Sequence, residues 1–133
     1  MRGRGLSEAW RKDIDMTLKE FYGKVGGDYE DVCERLGGPE VIGPIVKMLL
    51  TDRHYENCRQ ALIAKDLDSA FCAVHALKGI CMNLDIRNLM EDAAELTEVL
   101  REGQREPDRA PAAFSALQST YLDVIDALKE LED

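Results

Sequence analysis

The stretch from Leu67 to Leu84 constrains this chain more than any other. With successive residues about 100° apart, Leu67, Ala70, Phe71, Val74, Leu77, Cys81 and Leu84 fall on one side of a helix. That is the spacing of a core-facing stripe, so the segment is expected to form one amphipathic helix anchored among others. His75 lies off the centre of the stripe, about 100° from Val74, on the shoulder between core and water. Asp68, Cys72, Gly79 and Met82 share that shoulder, one or two turns away. The imidazole is therefore expected to be reachable from solvent while its helix is held in place.

Gly79 is the odd residue in this pattern. A glycine inside a helix costs roughly 0.5–1 kcal/mol relative to alanine, and here that cost falls one turn after a histidine. Clearance is the simplest reason: with no side chain at Gly79, another molecule can come close to the His75 ring. Lys78, three residues on, can reach toward the same region with a positive charge. An exposed imidazole, a gap beside it and a nearby ammonium suit a phosphoryl group carried on nitrogen.

The same period runs through the rest of the chain. Residues 1–6 read as a loose tail and 7–133 as a single domain. Ser7 with Glu8 starts a first helix, 7–25, on which Trp10, Ile14, Leu18, Phe21 and Val25 recur, and Gly26-Gly27 ends it. Asp28 caps a short helix with Val32 and Leu36, closed by Gly37-Gly38. Pro39 suits the first turn of the next, whose apolar positions include Val41, Ile42, Ile45, Val46, Leu49 and Leu50. Thr51-Asp52 marks a break, and the pattern resumes through Tyr55, Cys58, Leu62 and Ile63 before stopping at Lys65-Asp66. After Leu67–Leu84, the tight connection Asn83-Leu84-Asp85 leads to a helix bearing Leu89, Ala93, Leu96, Val99 and Leu100. Gly103 to Pro111 reads as the longest polar linker, and the last helix carries Phe114, Leu117, Tyr121, Val124, Ile125, Leu128 and Leu131. No alternating strand pattern appears. Short loops between amphipathic helices argue for antiparallel neighbours. The expected fold is all-α: an antiparallel up-down four-helix bundle with additional N-terminal helices.

Charge and cysteine content narrow the partners. A net charge of −9 argues against nucleic acid or an anionic membrane. No apolar run approaches the ~18 residues of a membrane span, and no signal-peptide pattern opens the chain. The four cysteines, Cys33, Cys58, Cys72 and Cys81, read as free thiols of a cytoplasmic protein. A monomer is expected, although Trp10 and Phe21 fit either a cap on the bundle or a dimer contact. His54 with Cys58, and Cys72 with His75, have spacings that can bind metal. Two ligands each make weak sites, so no metal is assigned.

His75-Ala76-Leu77-Lys78-Gly79, followed by Asn83-Leu84, resembles the signature of histidine-containing phosphotransfer domains. The resemblance extends to Arg35-Leu36-Gly37-Gly38, Ala64-Lys65-Asp66 and Ala93-Ala94-Glu95-Leu96, and covers roughly residues 28–131. It implies that His75 is a nucleophile that accepts a phosphoryl group from an aspartyl phosphate on a receiver domain and passes it to another receiver. Lys78 would then stabilise phosphate charge, Gly79 would give the receiver clearance, and Asp68, Cys72 and Met82 would contact the partner. Receivers of response regulators or hybrid histidine kinases are the implied partners. No cofactor is expected on this chain; Mg²⁺ would sit on the receiver.

Some positions depart from the family pattern. Met82 and Ile80 stand where relatives usually have smaller residues, and Asp85 replaces a common glycine. A glutamine on the following helix often supports the imidazole in relatives; here Thr97 falls near that place, with Glu95 or Glu98 as substitutes, or no group at all. There is no glycine-rich phosphate loop or ATP-binding kinase module, which points to a carrier rather than an enzyme. The alternative is an unphosphorylated bundle that only binds receiver or kinase domains.

Overall fold

Thr17 opens the first helix of the computed structural model, which describes residues 16–131. Its hydroxyl accepts the Glu20 amide at 3.1 Å and the Glu20 carboxylate accepts the Thr17 amide at 2.9 Å, a reciprocal capping box. The extended backbone at Thr17 (φ −77°, ψ 161°) breaks the single helix expected over 7–25. The Thr17-x-x-Glu20 start signal overrides the apolar period that runs through it. The rest of that expectation, Ser7, Trp10 and Ile14, and the tail 1–6, lie outside the described residues.

Helix α1 spans Leu18–Val25, α2 Tyr29–Leu36 and α3 Pro39–Lys47, followed by a 3₁₀ turn at Met48–Leu50. Then come α4 (His54–Ile63), α5 (Leu67–Leu84), α6 (Arg87–Leu100), a second 3₁₀ turn at Pro107–Arg109, and α7 (Ala110–Lys129). Most boundaries fall where the caps place them. Gly26 (φ 78°) ends α1 in the left-handed region, Asp28 caps α2 through the Asp31 amide, and Pro39 stands in the first turn of α3. The linker expected over 103–111 is shorter: Pro107–Arg109 forms a turn, and Pro111 lies in the first turn of α7, where a missing N–H costs nothing. Leu131 falls beyond α7 and pairs with Met16 in an isolated parallel bridge, with the Met16 amide donating to the Glu130 carbonyl at 2.6 Å.

Among the described residues the structure is all-helical, with no strand longer than that bridge. Helix α5 packs between α4 and α6, and α6 packs on α7. Tyr55 of α4 stacks on Tyr121 of α7 with centroids 3.8 Å apart, which joins the first and last of these four helices. Leu77, Leu89, Leu96, Leu100, Leu117 and Leu128 are buried at their centre. Each contributes about 1.5–3 kcal/mol by leaving water. The apolar period overreaches at Val41, Leu50 and Ile63, which are exposed.

The short helices brace the far end of α5. The Tyr22 hydroxyl donates to the Leu84 carbonyl at 2.8 Å, and Arg35 donates to the Asn83 carbonyl at 3.2 Å. These satisfy carbonyls that a helix end otherwise leaves without partners. Asp85 (φ 53°) turns the chain in the left-handed region. Its carboxylate accepts the Asp28 amide at 2.7 Å and pairs with Arg87 at 2.9 Å, which accounts for an aspartate at this left-handed position. Gly27 packs against the Asp85 carbonyl so closely that a Cβ would overlap it.

Candidate functional site

Helix α5 is capped by Asp66, whose carboxylate accepts the Ser69 amide at 3.1 Å. The Ser69 hydroxyl bonds the same carboxylate at 2.7 Å, and these contacts hold it below the usual carboxylate range. One side of the helix is sealed: Ala70, Val74, Leu77, Cys81 and Leu84 are buried. The opposite shoulder carries His75, with Asp68, Cys72, Gly79 and Met82 exposed along it. Lys78 is half-buried.

The His75 ring therefore stands on a helix fixed from behind and at both ends. A Cβ at Gly79 would meet nothing within 4 Å, so the space a turn beyond the ring is open. Among the described residues no side chain hydrogen-bonds the ring. Its neighbour is Phe71, one turn earlier, with centroids 5.5 Å apart and planes tilted by 35°. The apolar stripe put Phe71 in the core; the structure leaves it half-buried, a platform beside the imidazole.

The three candidates for holding the ring are occupied elsewhere. Thr97 is fully buried, and its hydroxyl donates to the Ala93 carbonyl at 2.6 Å, one turn back on its own helix. Glu95 pairs with Arg109 at 2.7 Å, and Glu98 pairs with Arg101 at 2.7 Å. Arg101 was not visible as a site residue in the sequence. Its guanidinium carbon lies 5.4 Å from the Phe71 ring centroid, on the platform that His75 shares. Only the register of α6 against α5 brings it there, and no local pattern encodes that.

The remaining shoulder residues separate into two surroundings. Asp68 forms an ion pair with Arg105, whose Nε also donates to the Leu100 carbonyl at 2.7 Å. Cys72 lines an open cleft with His54, Asn57 and Asp68. Met82, 54% exposed, and Met48, 66% exposed, put large apolar surface near the other end of α5. Ile80, Asn83, Ile45 and Met48 line a shallow groove of about 420 Å³.

His54 and Cys58 face different surroundings. His54 turns its Nδ1 to Asp52 at 2.9 Å, while Cys58 is buried and its thiol is pushed up to about 12 by that burial. Among the described residues no group of three His, Cys, Asp or Glu side chains is placed to hold a metal ion. Cys33, Cys58, Cys72 and Cys81 are free thiols. No described helix is long and apolar enough to cross a membrane.

A family model for the Hpt domain matches residues 50–133. The chain belongs to the Hpt domain family. Hpt domains act in histidine phosphotransfer, interact with the receiver domains of two-component systems and carry phosphoryl groups without kinase activity of their own. The match takes in the whole of α4 to α7, and so His75, Lys78 and Gly79; Arg35-Leu36-Gly37-Gly38 precede it. No curated protein and no solved structure matches the chain.

Proposed function

We propose that His75 accepts a phosphoryl group on Nε2 from the aspartyl phosphate of one receiver and passes it to the aspartate of another. One observation carries this reading: the ring of an Hpt-domain histidine stands exposed on a braced helix, with open space at Gly79 beside it. Nε2 is the outer nitrogen, farther from the helix backbone than Nδ1, and an imidazole protonated on Nδ1 alone offers a lone pair there.

The transfer is balanced within the pair of proteins. The Nε2–P bond forms as the P–O bond of the acyl phosphate breaks, and the electron pair leaves on the receiver carboxylate. The ring keeps its Nδ1 proton. Phosphoryl transfer asks mainly for in-line positioning and charge stabilisation, so a rigid helix suits the task. Lys78 supplies positive charge near the phosphoryl oxygens, and Gly79 leaves the receiver room to reach them. Met82, Cys72 and Asp68 form the contact rim, with Mg²⁺ held on the receiver. The four helices α4 to α7 run antiparallel, up and down, as the scaffold. The protein works in the cytoplasm as a monomer, with receivers of response regulators or hybrid kinases as partners.

Incubation with a panel of phosphorylated receivers tests this. The expected result is an acid-labile, alkali-stable label on the wild type and none on His75→Gln. A label on His75→Gln, or equal binding of receivers by both proteins with no transfer at all, overturns the reading.

A further inference from the structure

The end of α6 and the loop after it carry a small charged cluster, Glu98, Arg101 and Gln104, that the transfer reading leaves unused. Glu98, at the end of α6, takes two contacts of 3.2 Å from Arg101 Nε and one of 2.7 Å from Arg101 Nη2. Gln104 adds a fourth, from Nε2 at 3.1 Å. These bonds, Arg101 above all and the charge of Lys78 with it, hold the Glu98 carboxyl below the usual carboxylate range. The same Arg101 lies over Phe71 at 5.4 Å, and Phe71 lies against His75 at 5.5 Å. Arg101 is thus joined to the histidine through the Phe71 ring, Lys78 stands a turn along the helix, and a single carboxylate hydrogen-bonds the first and feels the charge of the second.

A carboxylate held by a planar guanidinium through parallel N–H bonds uses the geometry that a phosphoryl group also accepts. Glu98 and Arg101 are exposed, 53% and 39% by side chain, so their pair is weak and can be broken. We propose that Glu98 is a displaceable counter-anion: it holds Arg101 and offsets the charge of Lys78 while His75 is bare, and a phosphoryl group on Nε2 takes those cations over. This rests on His75 being the phosphorylated residue. Glu98 and Arg101 are then positioning residues that set how readily the histidine is loaded. A carboxylate here keeps the cations from recruiting other anions to an empty site.

The test uses potassium phosphoramidate, which phosphorylates an imidazole nitrogen and releases ammonia, so no partner need be known. Glu98→Gln is expected to load between about 1.5- and fivefold faster than wild type, the range that breaking an exposed ion pair supports. Arg101→Gln is expected to load more slowly, and the double variant to match Arg101→Gln, which is the coupling a shared contact requires. Glu95→Gln, which removes the same charge from the pair with Arg109, is expected to load like wild type. The Arg101 Nε–H resonance should move on phosphorylation of the wild type. Equal loading of Glu98→Gln and wild type, equal acceleration by Glu95→Gln, or an unmoved Arg101 resonance overturns the counter-anion role and leaves the transfer reading standing. Labelling that persists in His75→Gln overturns the transfer reading, and the counter-anion with it.

Discussion

The Tyr22 hydroxyl donates to the Leu84 carbonyl at 2.8 Å, tying the last turn of α5 to a helix 62 positions earlier in the chain. Tyr22 is fully buried, and that burial, with the charge of Asp85, raises its phenol well above the ordinary range. Tyr22→Phe removes the donor and leaves a buried carbonyl at a helix end. The expected cost is about 1–3 kcal/mol in urea or thermal unfolding. A variant as stable as wild type would show that water satisfies this carbonyl and that α1 does not brace α5.

Substitutions at Gly79 let stability and the proposed transfer be measured apart. A Cβ there meets nothing within 4 Å, so Gly79→Ala should raise stability by about 0.5–1 kcal/mol through helix propensity alone. Gly79→Leu should fold equally well yet transfer at least about tenfold more slowly, since 1.4 kcal/mol of lost docking energy is enough for that factor. Urea titration and transfer from a phosphorylated receiver measure the two effects separately. If Gly79→Leu transfers at the wild-type rate, the gap is not where the receiver sits.

The elements of this fold were legible wherever a cap and an apolar period agreed. Asp28, Gly26, Pro39 and the stripe positions Ala70, Val74, Leu77, Cys81 and Leu84 each placed a boundary or a buried face correctly. The period misled where it met a stronger local signal, as at Thr17, whose capping box cuts a helix the hydrophobic pattern would continue. Exposure of His75 and the gap at Gly79 followed from helix geometry, because both lie on one element. Arg101 did not, because its place over Phe71 depends on how α6 slides along α5. The sequence leaves open which group would support the ring, Thr97, Glu95, Glu98 or none, because side-chain partners depend on tertiary register; the Thr97 hydroxyl is short and bonds its own helix at Ala93.

Thr97→Val follows from that last point. Valine keeps the volume of the buried side chain and gives up only a bond to a carbonyl within the same helix. The expected loss of stability is about 1 kcal/mol or less. Transfer to and from His75 should be unchanged, and so should the ring resonances of His75 in a proton–nitrogen spectrum. A shift of those resonances or a slowed transfer would place Thr97 in the support of the imidazole after all.

The buried thiols predict how the bundle responds to alkali. Burial pushes the Cys58 thiol up from 9.0 to about 12, and burial with the charge of Asp52 does the same for Cys81. Each group has a folded value above its unfolded one, so its contribution is fully present below about pH 9 and is lost as pH rises through about 12. In that window the unfolded chain releases protons that the folded chain keeps, and stability falls as pH rises. Urea midpoints measured from pH 8 to 11 should therefore decline. The decline should be shallower in Cys58→Ala and in Cys81→Ala, even though each variant starts from a lower stability because it leaves a cavity. Cys72, exposed on the shoulder of α5, should react with a thiol reagent in the native protein at pH 8 while Cys58 and Cys81 stay protected until unfolding. Rapid native-state labelling of Cys81 would mean that the helix carrying His75 opens far more readily than its packing implies.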